Sequence, residues 1–274
     1  MTTRSSPTSK KRRVLITGGA GFAGSSLAIA FAKAKPGLEV VALDSLRRRG
    51  SELNLPRLRE HGVRFVHGDV RVRDDVAAVG PCDLVVDCAA EPSVAAGLDG
   101  GAAAVVDANL GGTVSALEHA RAHGAAFLLL SSSRVYPMEP LRRLAYVDEP
   151  DRFEPDPNQS VVGITAAGVS ESFSLEGARS LYGATKLASE LLVQEYVAAY
   201  DLKASVLRLG VIAGPWQMGR VDQGFMTLWV ARHVYDRPIS YVGFGGEGRQ
   251  VRDVLHVDDF CDLAILVCDR VEEL

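Results

Sequence analysis

Short apolar runs alternate with longer stretches of helical spacing along most of the chain. The runs lie at Arg13 to Thr17, Glu39 to Leu43, Arg64 to His67, Leu84 to Cys88, Phe127 to Leu130 and Ser205 to Leu209. Between them, Phe22 to Ala34, Ala108 to Ala122 and Tyr182 to Tyr200 carry apolar residues at the spacing that lines one helix face. Strand and helix in alternation predict an α/β fold, a doubly wound parallel sheet with right-handed crossover helices on both faces. Two segments break the rhythm. Pro137 to Ser180 is rich in Pro, Asp, Glu and Gly, and so long a connection in a compact domain reads as a lid or binding loop. From Gly214 onward the alternation weakens and Trp216, Phe225, Trp229 and Tyr241 appear, which predicts a small substrate-facing lobe. The expected division is a flexible basic tail at 1–12, an α/β domain at 13–213 with 137–180 as its substrate-side lid, and a partial lobe at 214–274 interleaved with that domain.

Composition narrows the partners. With 274 residues, 47% hydrophobic and 23% charged, the chain is globular rather than disordered or coiled-coil. Its net charge of -4 understates the acidity of the body, because Arg4, Lys10, Lys11, Arg12 and Arg13 stand in a segment without acids. Such a body repels a polyphosphate backbone, so nucleic acid is not the expected partner. Cys82, Cys88, Cys261 and Cys268 form no C-x-x-C pair and read as buried small hydrophobes in a reducing compartment, with no metal site. His119 and His123 follow Glu118 at metal-compatible spacing, but Gly124 behind them marks a helix end, where histidines complement the dipole. No apolar run is long enough to span a membrane, and the expectation is a cytoplasmic protein.

Thr17-Gly18-Gly19-Ala20-Gly21-Phe22-Ala23-Gly24 follows the first strand and opens the first helix. Gly18 permits a tight turn, Gly21 lets backbone amides approach a pyrophosphate, and Gly24 allows close helix packing; the helix N-terminus adds partial positive charge. Asp44 ends the second strand 20 residues after Gly24, where a carboxylate accepts hydrogen bonds from an adenosine ribose. A 2'-phosphate would meet its charge, so NAD is favoured, although Arg47, Arg48 and Arg49 stand ready to offset a 2'-phosphate.

Tyr182-Gly183-Ala184-Thr185-Lys186 opens a long amphipathic helix, with phenol and ammonium on one face. A free phenol titrates near pH 10, and a neighbouring ammonium favours its ionised form, which makes Tyr182 a credible proton acceptor. Ser131-Ser132-Ser133-Arg134-Val135-Tyr136 sits at the end of the fifth strand, the edge where open α/β sheets bind ligands.

Together these motifs resemble the extended short-chain dehydrogenase/reductase superfamily, in its NAD-dependent epimerase/dehydratase group, from Arg13 to the C-terminus. Further carriers are Gly68-Asp69-Val70, Ala89-Ala90, Asn109 and Arg252-Asp253 before His256-Val257-Asp258-Asp259. The resemblance implies a Rossmann domain and a homodimer acting on a nucleotide-diphosphate sugar. It implies that Gly18, Gly21, Phe22, Ala23, Gly24, Asp44, Asp69, Val70, Ala89, Ala90, Asn109, Tyr182 and Lys186 hold the cofactor. Ser132, Tyr182 and Lys186 fall at the family's catalytic positions, and Ser133, Gln223 and Arg252 at substrate positions. Where the dehydratases carry Asp-Glu after the catalytic residue, this chain has Ser133-Arg134, so no carboxylate pair stands ready for elimination. The likeness extends to the CDP-sugar 2-epimerases of this group through Asp44-Ser45-Leu46-Arg47-Arg48-Arg49-Gly50, Phe65 to Arg71, Asp222-Gln223-Gly224 and Gly248 to His256. Relatives of that kind run well past the helix predicted at Val257 to Glu273, so a truncated substrate lobe is expected. Two other readings stay open: a net NAD(P)-dependent dehydrogenase or reductase on a sugar or sterol-like substrate, and a non-catalytic dinucleotide-binding protein.

Overall fold

A computed structural model describes residues 12–93, 97, 100–165, 167–218 and 224–271. Its strands are β1 (Arg13–Thr17), β2 (Glu39–Asp44), β3 (Arg64–His67), β4 (Leu84–Asp87), β5 (Ala126–Ser132), β6 (Tyr146–Asp148), β7 (Phe153–Pro155), β8 (Ile164–Thr165), β9 (Gly168–Val169), β10 (Ala204–Leu209), β11 (Val211–Ala213) and β12 (Val254–His256). The helices are α1 (Phe22–Ala34), α2 (Leu55–Glu60), α3 (Arg73–Ala77), α4 (Ala102–Val106), α5 (Gly112–His123), α6 (Met138–Arg142), α7 (Leu181–Tyr200), α8 (Phe225–Val234) and α9 (Val257–Val271).

Six strands form one parallel sheet in the order β10-β5-β4-β1-β2-β3. The order reverses between β1 and β4, and ligands of open α/β sheets bind in the crevice outside the strand ends at such a reversal. All of β4 and β5 is buried, as is β1 after its first residue. These strands are covered on both faces, which is why they read as continuous apolar runs rather than alternating ones. One face packs against α1 and α9 through Leu27, Phe31, Phe260 and Ala264; the other packs Leu117, Ala120 and Val193 of α5 and α7 on Leu15, Val85 and Phe127. Each of these Leu, Val and Phe side chains contributes about 1.5–3 kcal/mol by leaving water. Gly124 closes α5 in the left-handed conformation, φ +62°.

The structure departs from the pattern reading in three places. Helical backbone starts at Ala102 and passes through a π-helical turn, Asp107–Gly111, before α5, so it begins ahead of the predicted Ala108. The segment 137–180 is not structureless: it holds α6 and two small antiparallel hairpins, β6-β7 and β8-β9. Phe173 within it packs with Val135 and Tyr136 beside Leu187 of α7. Finally, β11 and β12 form a two-stranded parallel sheet whose three-residue strands carry too little periodicity to be foreseen. The last helix, α9, lies within the stretch expected to form the lobe, yet its stripe of Val257, Phe260, Cys261, Ala264 and Cys268 is buried against the main sheet. Among the described residues, no helix is long and apolar enough to cross a membrane.

Candidate active site

The glycine turn joins β1 to α1 at the strand reversal. Gly18 has φ +61°, and a Cβ there would stand 2.9 Å from the backbone N and Cα of Ala89, so the turn can lie directly on the segment leaving β4. A Cβ on Gly24 would collide with the carbonyl of Gly18, which lets α1 begin hard against the turn. At Gly21, the N-cap of α1, a Cβ would meet only Gly18 O within 4 Å, leaving the side toward the crevice open. The first amides of the helix, at Phe22, Ala23 and Gly24, have no acceptor inside it, so they form a cradle for an anion.

Asp44 ties this cradle to the end of β2. Its carboxylate accepts from Ala20 N at 3.1 Å and Leu46 N at 2.7 Å. A carboxylate has about four acceptor sites, so capacity remains for ribose hydroxyls. Asp69, after β3, turns both oxygens to Arg71, whose hydrogen bonds hold the carboxyl below its usual range, assisted by the Arg71 and Arg47 charges. Val70 packs on Gly112, where a Cβ would stand 2.7 Å from Val70 Cγ1.

Asn109 lies one step behind the expected cofactor contacts. It is fully buried in the π-helical turn; its Oδ1 accepts from Glu91 N at 2.7 Å, and its Nδ2 donates to Glu91 O at 3.3 Å and to Thr185 Oγ1 at 3.0 Å. With both amide hydrogens engaged, it tethers the segment after β4 to α7.

Ser132 ends β5, nearly buried, and its hydroxyl accepts from Arg134 N at 3.2 Å. Helix α7 is capped by Ser180, whose hydroxyl accepts from Gly183 N at 3.1 Å. Gly183 matters to the approach, because a Cβ on it would collide with Arg134 O. Lacking one, α7 seats its first turn, with Tyr182, on the turn that follows Ser132. Four residues on, Lys186 is buried at 2% exposure and, among the described residues, has no hydrogen bond or ion pair. Its charge reaches Cys88 at the mouth of β4, where it opposes the strong upward push that burial gives the thiol. An ammonium at the end of a buried side chain, without a protein acceptor among the described residues, is suited to hydroxyls or an oxyanion supplied by ligands.

Two buried networks support these groups, and the sequence reading did not foresee them. Glu190, one turn beyond Lys186, accepts from Ser131 Oγ and from Arg208 at 2.7 Å, while Arg208 also donates to Tyr136 Oη at 3.2 Å. Asp87, fully buried, accepts from Thr17 Oγ1 at 2.6 Å and Thr113 Oγ1 at 2.7 Å, joining β1, β4 and α5. The only local signal was a Glu on the inward face of α7 and an Asp inside an apolar strand.

On the substrate side, Ser133 and Arg134 are exposed on the short helical turn after β5. Arg252 still reaches solvent; partial desolvation first, and then the like charge of Arg134, lower its pKa. Among the described residues neither guanidinium has a carboxylate partner. Gln223 lies outside the described residues.

A sequence profile of the NAD dependent epimerase/dehydratase family matches residues 14–274. A CDP-paratose 2-epimerase from Salmonella typhi is 29% identical over 273 residues, spanning 96% of this chain and 76% of that one. Among solved structures, a double mutant of a dTDP-glucose 4,6-dehydratase from Streptomyces venezuelae, with NAD bound, is 28% identical with a TM-score of 0.71, over 93% of this chain and 72% of that one. A UDP-glucose 4-epimerase from Thermus thermophilus in complex with NAD is 28% identical with a TM-score of 0.69, over 93% and 74%.

Proposed function

The chain belongs to the NAD dependent epimerase/dehydratase family, and within it we propose a nucleotide-sugar epimerase of the CDP-paratose 2-epimerase kind, working by transient oxidation to a keto sugar. One observation carries the choice of epimerisation. The turn after Ser132 exposes Ser133 and Arg134, not the acid-base carboxylate pair that eliminating water demands.

Held along the glycine turn, NAD would supply hydride transfer from and back to a sugar carbinol. The residues of the chain do the rest. Tyr182 removes the hydroxyl proton as the carbinol is oxidised and returns it on reduction, with Ser132 donating a hydrogen bond to the same oxygen. The buried Lys186 ammonium stabilises the negative oxygen Tyr182 carries as a base. The like charges of Arg134 and Arg252 repel, and a substrate diphosphate bound between them would relieve that repulsion. Held by that end, the keto sugar is free to turn its other face to the hydride before reduction. We read the working form as a cytoplasmic homodimer, the exposed apolar side chains Val106, Leu191 and Val197 on the α4–α5 and α7 layer facing a second copy.

Thermal shifts with CDP-, UDP-, GDP- and dTDP-sugars identify the nucleotide, because a ligand stabilises in proportion to the logarithm of its saturation. With the sugar that binds, Tyr182→Phe is expected to abolish epimerisation and leave NAD affinity within about threefold, since the phenol oxygen acts on the substrate. Net accumulation of NADH with that sugar, or undiminished turnover in Tyr182→Phe, contradicts the proposal.

A further inference from the structure

The loop 214–218 crosses from the substrate side of the molecule to the cofactor side. Its course is fixed by Gln217, whose backbone N donates to Gly214 O at 3.3 Å and whose Nε2 donates to Ile212 O at 2.9 Å. The Gln217 Oε1 accepts from Thr227 Oγ1 of α8 at 2.6 Å. Within this turn Trp216 has φ +71°, a backbone conformation that side chains other than glycine rarely adopt. Such a residue persists only where surrounding contacts hold it.

Those contacts reach across to the dinucleotide site. The Arg57 guanidinium lies 4.2 Å from the centroid of the Trp216 ring, and among the described residues it has no carboxylate partner. Its Nη1 donates to Asn54 Oδ1 at 2.8 Å. Asn54, 1% exposed, donates from Nδ2 to Ala20 O at 2.9 Å, inside the glycine turn, and Asp44 holds the amide of the same residue. Alongside, Met218 rests on Gly50, where a Cβ would stand 3.2 Å from Met218 Cγ. An unbroken series of contacts therefore runs from α8 through Trp216, Arg57 and Asn54 to the turn where a pyrophosphate would lie. Met218 at the same time covers the segment that leaves Asp44.

We propose that Trp216, Arg57 and Asn54 form a clasp that couples the 214–218 loop to the dinucleotide turn and slows release of the cofactor. The purpose rests on the epimerase reading, in which the hydride removed in the first half-reaction returns in the second and a cofactor lost between them strands a keto sugar. These are positioning residues. They touch no reacting atom; release of the adenosine end requires the turn and the Asp44–Gly50 segment to loosen, and the clasp opposes that loosening.

The test loads the full chain with NADH and follows the fall in its fluorescence after a chase with excess NAD. Trp216 is exposed, so Trp216→Ala and Arg57→Ala are each expected to speed release by about threefold, and the double variant little more than either, because the two side chains act as one contact. Trp216→Phe keeps a ring face and is expected to stay within about 1.5-fold of the parent protein. Equal release rates in Trp216→Ala, Arg57→Ala and the parent protein overturn the clasp while leaving the epimerase reading intact. Failure of the parent protein itself to bind NADH overturns that reading and the clasp with it.

Discussion

The seating of α7 on the Ser132 turn depends on a missing methyl group, and Gly183→Ala puts it back. A Cβ at this position would stand well inside 3.0 Å of Arg134 O, a backbone atom that has no rotamer by which to yield, with Arg179 Cγ at 3.3 Å on the other side. To restore van der Waals contact the first turn of α7 must retreat by about 1 Å, and a misplacement of that size costs on the order of 100-fold in rate. In free energy that is about 2.7 kcal/mol of transition-state stabilisation. Global stability is expected to fall by about 1–3 kcal/mol, the usual range for an overpacked methyl group, so the protein stays folded. Steady-state kinetics with the sugar selected by thermal shift, alongside calorimetric NAD binding and a melting curve, separate these effects. The expected result is kcat/KM down about 100-fold with a much smaller change in NAD affinity, because most positions expected to hold the cofactor, the glycine turn and Asp44 among them, lie on β1, α1 and β2, away from the substitution. Turnover within about twofold of the parent protein would refute the argument that Gly183 sets the distance between Tyr182 and Ser132.

Two further outcomes follow from the networks around the site. Removing one partner of a buried ion pair costs about 3–5 kcal/mol; because the Arg208 side chain keeps 20% exposure, Glu190→Gln is expected near the lower end. At about 2–4 °C per kcal/mol for a chain of this size, Tm falls by about 6–12 °C by calorimetry, whereas Glu190→Leu with Arg208→Met recovers most of it, and a Glu190→Gln melt within about 2 °C of the parent would refute the pairing's role. Glu118, between α5 and α7, is held down to about 2 by hydrogen bonds from Arg121 and then Tyr196, against the pull of desolvation. A carboxyl with a depressed folded pKa gives stability above its unfolded value and loses it as pH falls through the folded one, so this contribution disappears between about pH 4.3 and pH 2. Arg121→Gln is therefore expected to melt slightly below the parent at pH 7 and to converge with it by pH 2; a gap that widens in acid contradicts the assignment.

What the sequence determined by itself was everything set by near neighbours. The runs that became β1, β4 and β5 are continuous because those strands are covered on both faces, and the glycine turn and the Tyr182 to Lys186 spacing are local geometry that any alignment of one strand and one helix preserves. What only the tertiary structure decided is which polar side chain answers which. Ser131 meets Glu190 across 59 positions, Thr17 meets Asp87 across 70 and Asn109 meets Thr185 across 76, and no periodicity encodes partners so far apart. Asn109 gives no local sign that its amide bonds Glu91 and Thr185, and Trp216 reads as one more lobe aromatic until Arg57 is found over its ring. Burial compels Ser131, Thr17, Asp87, Asn109 and Glu190 to find hydrogen-bonding partners, but the fold alone chooses which.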